Sequence, residues 1–521
     1  MAIIPHIGVQ TDEAIFTAPL FETGGALFTL SVFHKKVPLM VMTYLGTVKT
    51  ALYAIIFRLW EPSVYSLRVP VLLLGAISIL AFYFFVRRAA EPSTALLAAA
   101  LLATDSSYLI ATTLDWGPVA IQHLCFLLGL LLILKAYQTS QLPPLGGGFF
   151  FLGLGLWDKA LFVWMLSGAA IACLLLFLTE IRRFLTVRRI MAAGFFFLLG
   201  ALPLFIYNVR QPLRTFRGNT TFTTDLETKP RVLRQTLNGE AFFAYLVEED
   251  WAVKTPREPS TWFERTSVGL SRIVGDRRQH WYPYAYLGSL LLTPFLLLSE
   301  WRRPVLFLLI MMTVAWAQML VTKGAGGGGH HTILLWPFPL MLIAITATWV
   351  GSRLGRWRSA FLWATGVLLC GSALLVNNYY VTQAVRNGAA GSWTNAVLTL
   401  AKRLPAYRAE KIFLIDWGLV DNLRLLSAGR LPIYVGSDPL MREEPTEEDI
   451  RLGKAMLESP NAILVGNTDD RQSFTDVNAR MERLAARLGY QRELLETVYD
   501  FNGRPCFEVF RFKKSGGSAQ R

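Results

Sequence analysis

Charge is scarce in this chain of 521 residues: only 17% are Asp, Glu, Lys or Arg, while 53% are hydrophobic. A soluble domain carries about a quarter charged residues, so an ordinary soluble globule is excluded. Cysteine is scarce as well. Of the four, Cys125, Cys173 and Cys370 fall in apolar runs and only Cys506 lies in a soluble region. No disulfide framework and no metal-ligand spacing follows from them. A secretory signal with a basic start, an apolar core and a small-residue cleavage site is missing. So is a glycine-rich phosphate loop of the nucleotide-binding kind. No internal repeat is evident, which counts against the inverted-repeat build of secondary transporters.

The apolar residues come instead in blocks of roughly 18 to 22, the length that crosses a bilayer. Candidate spans are 68–86, 94–111, 117–136, 147–157 running into 160–179, 190–207, 283–299, 304–322, 332–350 and 359–377. The expected fold is a polytopic α-helical membrane protein of about ten spans. Basic clusters follow every second span: Arg87 and Arg88, Lys135, Arg182 to Arg189, Arg302 and Arg303, and Arg353 to Arg358. The positive-inside rule assigns these loops to the cytoplasm. By alternation residues 1–66, the turn at 105–116, the break at Asp158, the loop 208–281, the run "TKGAGGGGHH" and everything after 377 should be extracytoplasmic. The expected location is the inner (plasma) membrane.

Residues 37–59 are long enough to span but carry Lys49 and Arg58, and a crossing there would break the alternation. They are expected to be interfacial helices on the outer face, within a first region 1–66. The segment 1–9 is too short to cross: either the chain starts outside, which leaves its translocation unexplained, or a helix upstream of it was lost to a late start codon, and the second is the expectation. The spans occupy 67–377. Beyond them "KIFLID", "LPIYVG", "NAILVG" and "CFEVFRF" are strand-like, and "TEEDIRLGKAMLES" and "DVNARMERLAARLG" are helical. Their alternation predicts an α/β domain over 393–514, followed by a disordered tail, 515–521. The net charge of +14 is uneven. Residues 401–521 hold 19 Lys and Arg against 18 Asp and Glu, leaving 32 against 19 in the rest. A basic excess confined to the membrane part suits anionic headgroups or lipid phosphates and does not suggest nucleic acid.

Acidic groups in or beside a membrane are costly and are functional candidates by default. Asp12 and Glu13 lie in "GVQTDEAIF", Asp115 in "TTLDWGPVA", Asp158 and Lys159 in "LWDKALF", and His330 and His331 follow a glycine run. All fall on the predicted outer side. Each also has a plainer reading. Asp12 suits a helix N-cap. Asp115 suits the cap of a helix opening at Pro118. Asp158 and Lys159 suit a structural ion pair. The histidines suit a flexible loop, and the basic "HKK" at 34–36 a solvated patch.

In order, "TDEAIF", "HKKVPLM", "SLRVP", "TTLDWGPVA" and "LWDKALF" resemble the GT-C superfamily of membrane glycosyltransferases over about residues 8 to 350. The nearest branches are the protein O-mannosyltransferase-like family 39 and the lipid A aminoarabinose transferases. The resemblance implies that Asp12 is the catalytic aspartate with Glu13 its partner. Lys36 with Pro38 would be the Lys-Pro element, Arg68 with Pro70 the Arg-Leu-Pro element, and Asp115 the aspartate of the second turn. His330 or His331 would stand where relatives often carry a basic residue. Ile15 replaces an arginine of the aminoarabinose branch, Thr113 replaces the arginine of the second turn, and Asp158-Lys159-Ala160 stands where a Lys-Gly pair is common. These departures leave the donor sugar open.

A sugar on a polyprenyl phosphate already carries a good leaving group. Transfer then needs a base for the acceptor hydroxyl and cations for the departing phosphate. Asp12 is the expected base, with Lys36, Arg68 and Lys159 the expected phosphate ligands, Arg210 and His331 further ones, and Asp158 and His330 additional site candidates. No cofactor is certain, and a divalent cation stays open. The acceptor would be a glycan, a lipid or a protein hydroxyl outside the cell. Two rival classes remain, a flippase or transporter of lipid-linked sugar and a non-catalytic envelope assembly protein.

Overall fold

A computed structural model of the chain describes residues 2–515, apart from 23, 218, 220, 224 and 225. The tail expected to be disordered lies outside the described residues beyond Ser515. Among the described residues five helices are long and apolar enough to cross a membrane: Val64–Ala89, Val119–Thr139, Val187–Arg210, Arg302–Val321 and Gly355–Arg386. Three pairs meet the same test jointly: Pro92–Thr104 with Ser106–Leu114, Ala160–Leu176 with Leu178–Phe184, and Gly329–Leu335 with Phe338–Ser352. They bend by 60°, 94° and 42° at their breaks. The shorter helices Leu142–Asp158 and Tyr282–Leu296 fill the remaining expected segments. The chain is a polytopic helical membrane protein carrying a small C-terminal sheet domain.

Local chemistry accounts for the breaks and the packing. Asp105 ends one helix and caps the next, its Oδ1 accepting from the Tyr108 N–H at 2.7 Å, which is how the chain turns there without orphaning backbone donors. The helices Leu142–Asp158 and Val187–Arg210 lie backbone to backbone. A Cβ on Gly153 would stand 2.1 Å from the Phe197 carbonyl oxygen, and one on Gly200 2.3 Å from that of Phe150. Small residues at such a seam let helices associate where lipid removes the hydrophobic drive.

The stretch 37–59 differs from expectation. Residues Phe28–Val32 (β1) and Lys35–Met40 (β2) form an antiparallel hairpin, and only Val48–Leu59 is helical. Phe33 and His34 turn the hairpin at positive φ, 46° and 63°, as a two-residue turn requires. The alternation in "FTLSV" was the signal for it.

The C-terminal domain contains β3 (Lys411–Leu414), β4 (Ile433–Val435), β5 (Ala462–Asn467), β6 (Tyr490–Tyr499) and β7 (Pro505–Lys514) in the order β4-β3-β5-β7-β6. β3 runs parallel to β4 and β5, while β7 is antiparallel to β5 and β6. Alternate side chains enter two cores. Ile412, Leu414 and Val465 face one, while Phe413, Ile415 and Leu464 face the other. β6 carries too many charged residues to read as a strand and sits at the sheet edge, which tolerates them.

The N-terminal segment fastens this domain to the helices. The Gly8 N–H donates to the Trp393 carbonyl at 2.7 Å. Asn395 and Asn422 donate their side-chain amides to the carbonyls of His6 and Val9 at 3.1 and 3.0 Å. A Cβ on Gly8 would stand 1.9 Å from the Thr394 carbonyl oxygen. Gly8→Ala is expected to cost about 1–3 kcal/mol or more and to lower the unfolding temperature of the purified protein. Gly24→Ala, whose Cβ meets nothing within 4 Å, serves as the control and should leave it unchanged.

Candidate active site

Two adjacent acids on one helical turn point about 100° apart, and here they do different work. The turn Thr11–Ala14 starts after Gln10, whose Oε1 accepts from the Asp12 N–H at 2.6 Å. Glu13 turns inward and is buried. It forms a two-pronged bond with Arg68 of the Val64–Ala89 helix, Nε to Oε1 at 2.7 Å and a terminal nitrogen to Oε2 at 2.8 Å. The other guanidinium N–H groups donate to the carbonyls of Ile4, Ile7 and Gly8 at 3.2, 2.8 and 2.7 Å. A guanidinium has five N–H donors, and all five are committed. Arg68 is fully buried and has none left for a phosphate. The expectation that it binds the donor is corrected: it positions the turn that carries Asp12 and Glu13.

Asp12 turns the other way and stays partly exposed. Its Oδ2 accepts from the Trp116 indole N–H at 3.0 Å. Trp116 stacks on Tyr245, with centroids 4.3 Å apart, and lies 4.1 Å from the His330 ring. His331 follows at 4.0 Å from His330. The Asp12 charge reaches further tyrosines. Burial, with that charge added, pushes the Tyr245 phenol up to about 12 and raises Tyr44.

Asp115 sits at the left-handed junction between Ser106–Leu114 and Val119–Thr139, with φ 49°. Its Oδ1 accepts from the Ala120 N–H at 2.9 Å, so it does cap the following helix. Its Oδ2 lies 2.9 Å from the Lys49 ammonium, and both residues are buried. Lys49 also stands over the Phe16 ring at 4.5 Å. Sequence reasoning missed it as a site residue, although a lysine inside an apolar run is itself the signal.

Asp158 and Lys159 end the Leu142–Asp158 helix and are pinned by the loop before Lys49. The Gly46 N–H donates to the Asp158 carbonyl at 3.0 Å, and the Ala160 N–H to the Tyr44 carbonyl at 2.9 Å. Neither oxygen of the buried Asp158 side chain has a hydrogen-bond partner among the described residues. Lys159 is only 4% exposed. Its ammonium interacts with the charges of Asp158, Asp12 and Asp115 and lies where a Cβ on Gly117 would be 3.2 Å away. His330 and His331 lie within its electrostatic reach.

Six expected residues therefore gather: Asp12, Asp115, Asp158, Lys159, His330 and His331. Two do not. Lys36 is exposed on β2 near the hairpin turn, and Arg210 is exposed at the end of its helix. Among the described residues no three His, Cys, Asp or Glu side chains converge as a metal site.

A family model described as dolichyl-phosphate-mannose-protein mannosyltransferase matches residues 47–207. Among solved structures the chain is similar to ArnT from Cupriavidus metallidurans bound to undecaprenyl phosphate, with 11% identity, a TM-score of 0.58 and coverage of 97% of this chain and 95% of that one. It is similar to the same protein in the apo state, at 12% identity and a TM-score of 0.53, covering 97% and 94%. It is also similar to the apo oligosaccharyltransferase of Archaeoglobus fulgidus, at 13% identity and a TM-score of 0.51, covering 98% and 71%. No curated protein matches it in sequence. The chain has the GT-C fold and resembles the branches its motifs point to.

Arg68→Lys separates positioning from phosphate binding. Because a lysine keeps the charge but cannot reach five acceptors, the variant leaves buried acceptors unmet and is expected to lose about 1–3 kcal/mol of stability or more, measured by thermal unfolding in detergent. Native stability with a weakened donor affinity would return Arg68 to the phosphate.

Asp421, beside the catalytic turn, offers a pH test. Burial raises its carboxyl to about 6, with Arg424 opposing and Glu22 and Asp12 adding to the rise. The folded protein thus holds this proton more tightly than the unfolded chain. The contribution favours folding in acid and is lost as pH rises from the ordinary carboxylate range through about 6. Asp421→Asn should raise the unfolding temperature at pH 8 and give no gain near pH 4. An equal shift at both pH values would mean that Asp421 titrates normally.

Proposed function

We propose that this protein transfers a sugar from a polyprenyl-phosphate donor to a hydroxyl acceptor on the extracytoplasmic side of the membrane. One observation carries the reading. Asp12 keeps one carboxylate oxygen without a hydrogen bond among the described residues, and the buried Lys159, within reach of the Asp12 charge, has an ammonium with no hydrogen bond among them. A carboxylate with a free oxygen and a cation without a hydrogen bond are the two groups that transfer from a lipid phosphate requires. Similarity to a structure bound to undecaprenyl phosphate supports the donor class.

In this mechanism the Asp12 oxygen takes the proton of the acceptor hydroxyl as that oxygen attacks the anomeric carbon. The bond from that carbon to the phosphate oxygen breaks, and its electron pair leaves with the lipid phosphate. Lys159 meets the growing negative charge in a dry setting, where a charge-assisted hydrogen bond is strong. Trp116 holds the Asp12 carboxylate at the angle that leaves its other oxygen open. Lys49 neutralises Asp115, so that the centre does not hold a third unpaired acid. No step is routed through a metal.

Asp12→Asn is expected to fold normally and to lose about 10²–10⁴-fold in transfer. Lys159→Met should raise the donor KM by roughly 10- to 100-fold, the value of a hydrogen bond to a charged group. Mass spectrometry of glycans and lipids from cells with the wild type, a deletion and Asp12→Asn reads the first. A sugar lost in both mutants supports the transferase. A sugar lost only in the deletion removes Asp12 from the base role.

A further inference from the structure

Beyond the catalytic centre, a cavity of about 330 Å³ opens between the C-terminal domain and the segments flanking Trp393. Its walls include Glu248, Trp417, Asn467, Asp470, Arg471 and Ser473. The place is set by topology. From β3 the chain passes to β4 on one side and then crosses back to β5 on the other. The strand order reverses between β3 and β5, and the cavity lies beyond the carboxyl ends of those two parallel strands. Ligands in open α/β sheets bind at such a crevice.

The cavity is built rather than incidental. Asp416, buried at the end of β3, accepts from the Asn467 side-chain amide at 2.6 Å and from the backbone N–H groups of Ser473 and Phe474 at 3.0 Å each. It thereby locks the loop after β5 against the loop that carries Trp417. The Trp417 ring, held on the wall, remains 41% exposed. Glu248 lies within 3.5 Å of Arg471 and Arg504, and the lining carries both signs of charge, Glu248 and Asp470 against Arg471. The Arg471 Nε–H is buried without a partner, and such a group calls for an explanation.

The cavity also adjoins the catalytic turn. A Cβ on Gly418, a wall residue, would be 3.8 Å from the Thr11 hydroxyl, which is buried and has no hydrogen-bond partner. Thr11 precedes Asp12. On another wall Ser392 and Thr394 flank Trp393, whose ring lies 6.2 Å from that of Trp116, the donor to Asp12.

We infer that this cavity is the acceptor subsite and that it takes a carbohydrate. The inference rests on the transferase reading and narrows its acceptor to a glycan hydroxyl. An exposed indole offers its face to a sugar ring. Amide, carboxylate and guanidinium groups of both donor and acceptor type suit a neutral ring bearing many hydroxyls. A lipid chain would need an apolar lining, and an extended peptide would need a free strand edge. The cavity instead meets the ends of central strands.

The test is saturation-transfer NMR on the full-length protein in detergent. The probes are a panel of free mono- and disaccharides of glucose, galactose, mannose, rhamnose, N-acetylglucosamine and arabinose, with a Ser/Thr-rich peptide alongside. Binding of at least one sugar is expected, weakened at least tenfold by Trp417→Ala and by Asp470→Asn. Both side chains are exposed enough to replace without opening the core, and unchanged unfolding temperatures check that. Asp12→Asn should bind the same sugar as the wild type. That outcome separates the two readings, since the subsite stands if sugar binds even where Asp12→Asn loses no product. Three results would overturn the subsite: no sugar binding, binding indifferent to both cavity variants, or preference for the peptide over every sugar.

Discussion

The architecture of the site depends on one guanidinium. Arg68 projects from a membrane-spanning helix and gathers Glu13 and three backbone carbonyls of residues 4 to 8 with its five donors. Leaving any of those buried acceptors unmet would cost free energy, so the segment has one placement. Asp12 is carried along by that constraint. Its neighbour is fixed inward, and the helical turn points Asp12 about 100° away from it. A rigid carboxylate needs no reorganisation when the reaction begins, which is how a preorganised site lowers its barrier.

From the other side, the C-terminal domain grips the same segment through Asn395, Asn422 and the Trp393 carbonyl. Glu22 and Arg424 join the two parts by an ion pair as well. The catalytic turn is therefore a seam between membrane helices and sheet domain, not a loop on either. Its contact with residues 6 to 9 helps hold the turn in place and brings the β3–β5 crevice next to Thr11.

Much of this was legible in the sequence, and the reasons differ by residue. The spans and the sheet domain followed from hydrophobic block length and from strand-like runs. The gathering of Asp12, Asp115, Lys159 and the histidines followed from counting which polar residues fell on one side. What could not be read was hydrogen-bond commitment. Arg68 resembled a phosphate ligand because a sequence reveals a guanidinium but not the five acceptors that occupy it. Lys36 and Arg210 had the right charge at the wrong depth. Lys49 was read as an argument about topology, when its position in an apolar run already marked it as a partner for a buried acid. The hairpin at 28–40 was hidden by the apolar run of its second strand, which merges with the helix after it.

The central claim is that the donor phosphate lies against Lys159 while the free oxygen of Asp12 stays open to the acceptor hydroxyl. A structure of the protein with a bound polyprenyl phosphate tests it most directly. The account predicts the phosphate within hydrogen-bond distance of the Lys159 ammonium, on the side of Trp116 that faces Asp12, with Arg68 still bound to Glu13. A phosphate held at Lys36 or Arg210, or one that draws Arg68 away from Glu13, would contradict it.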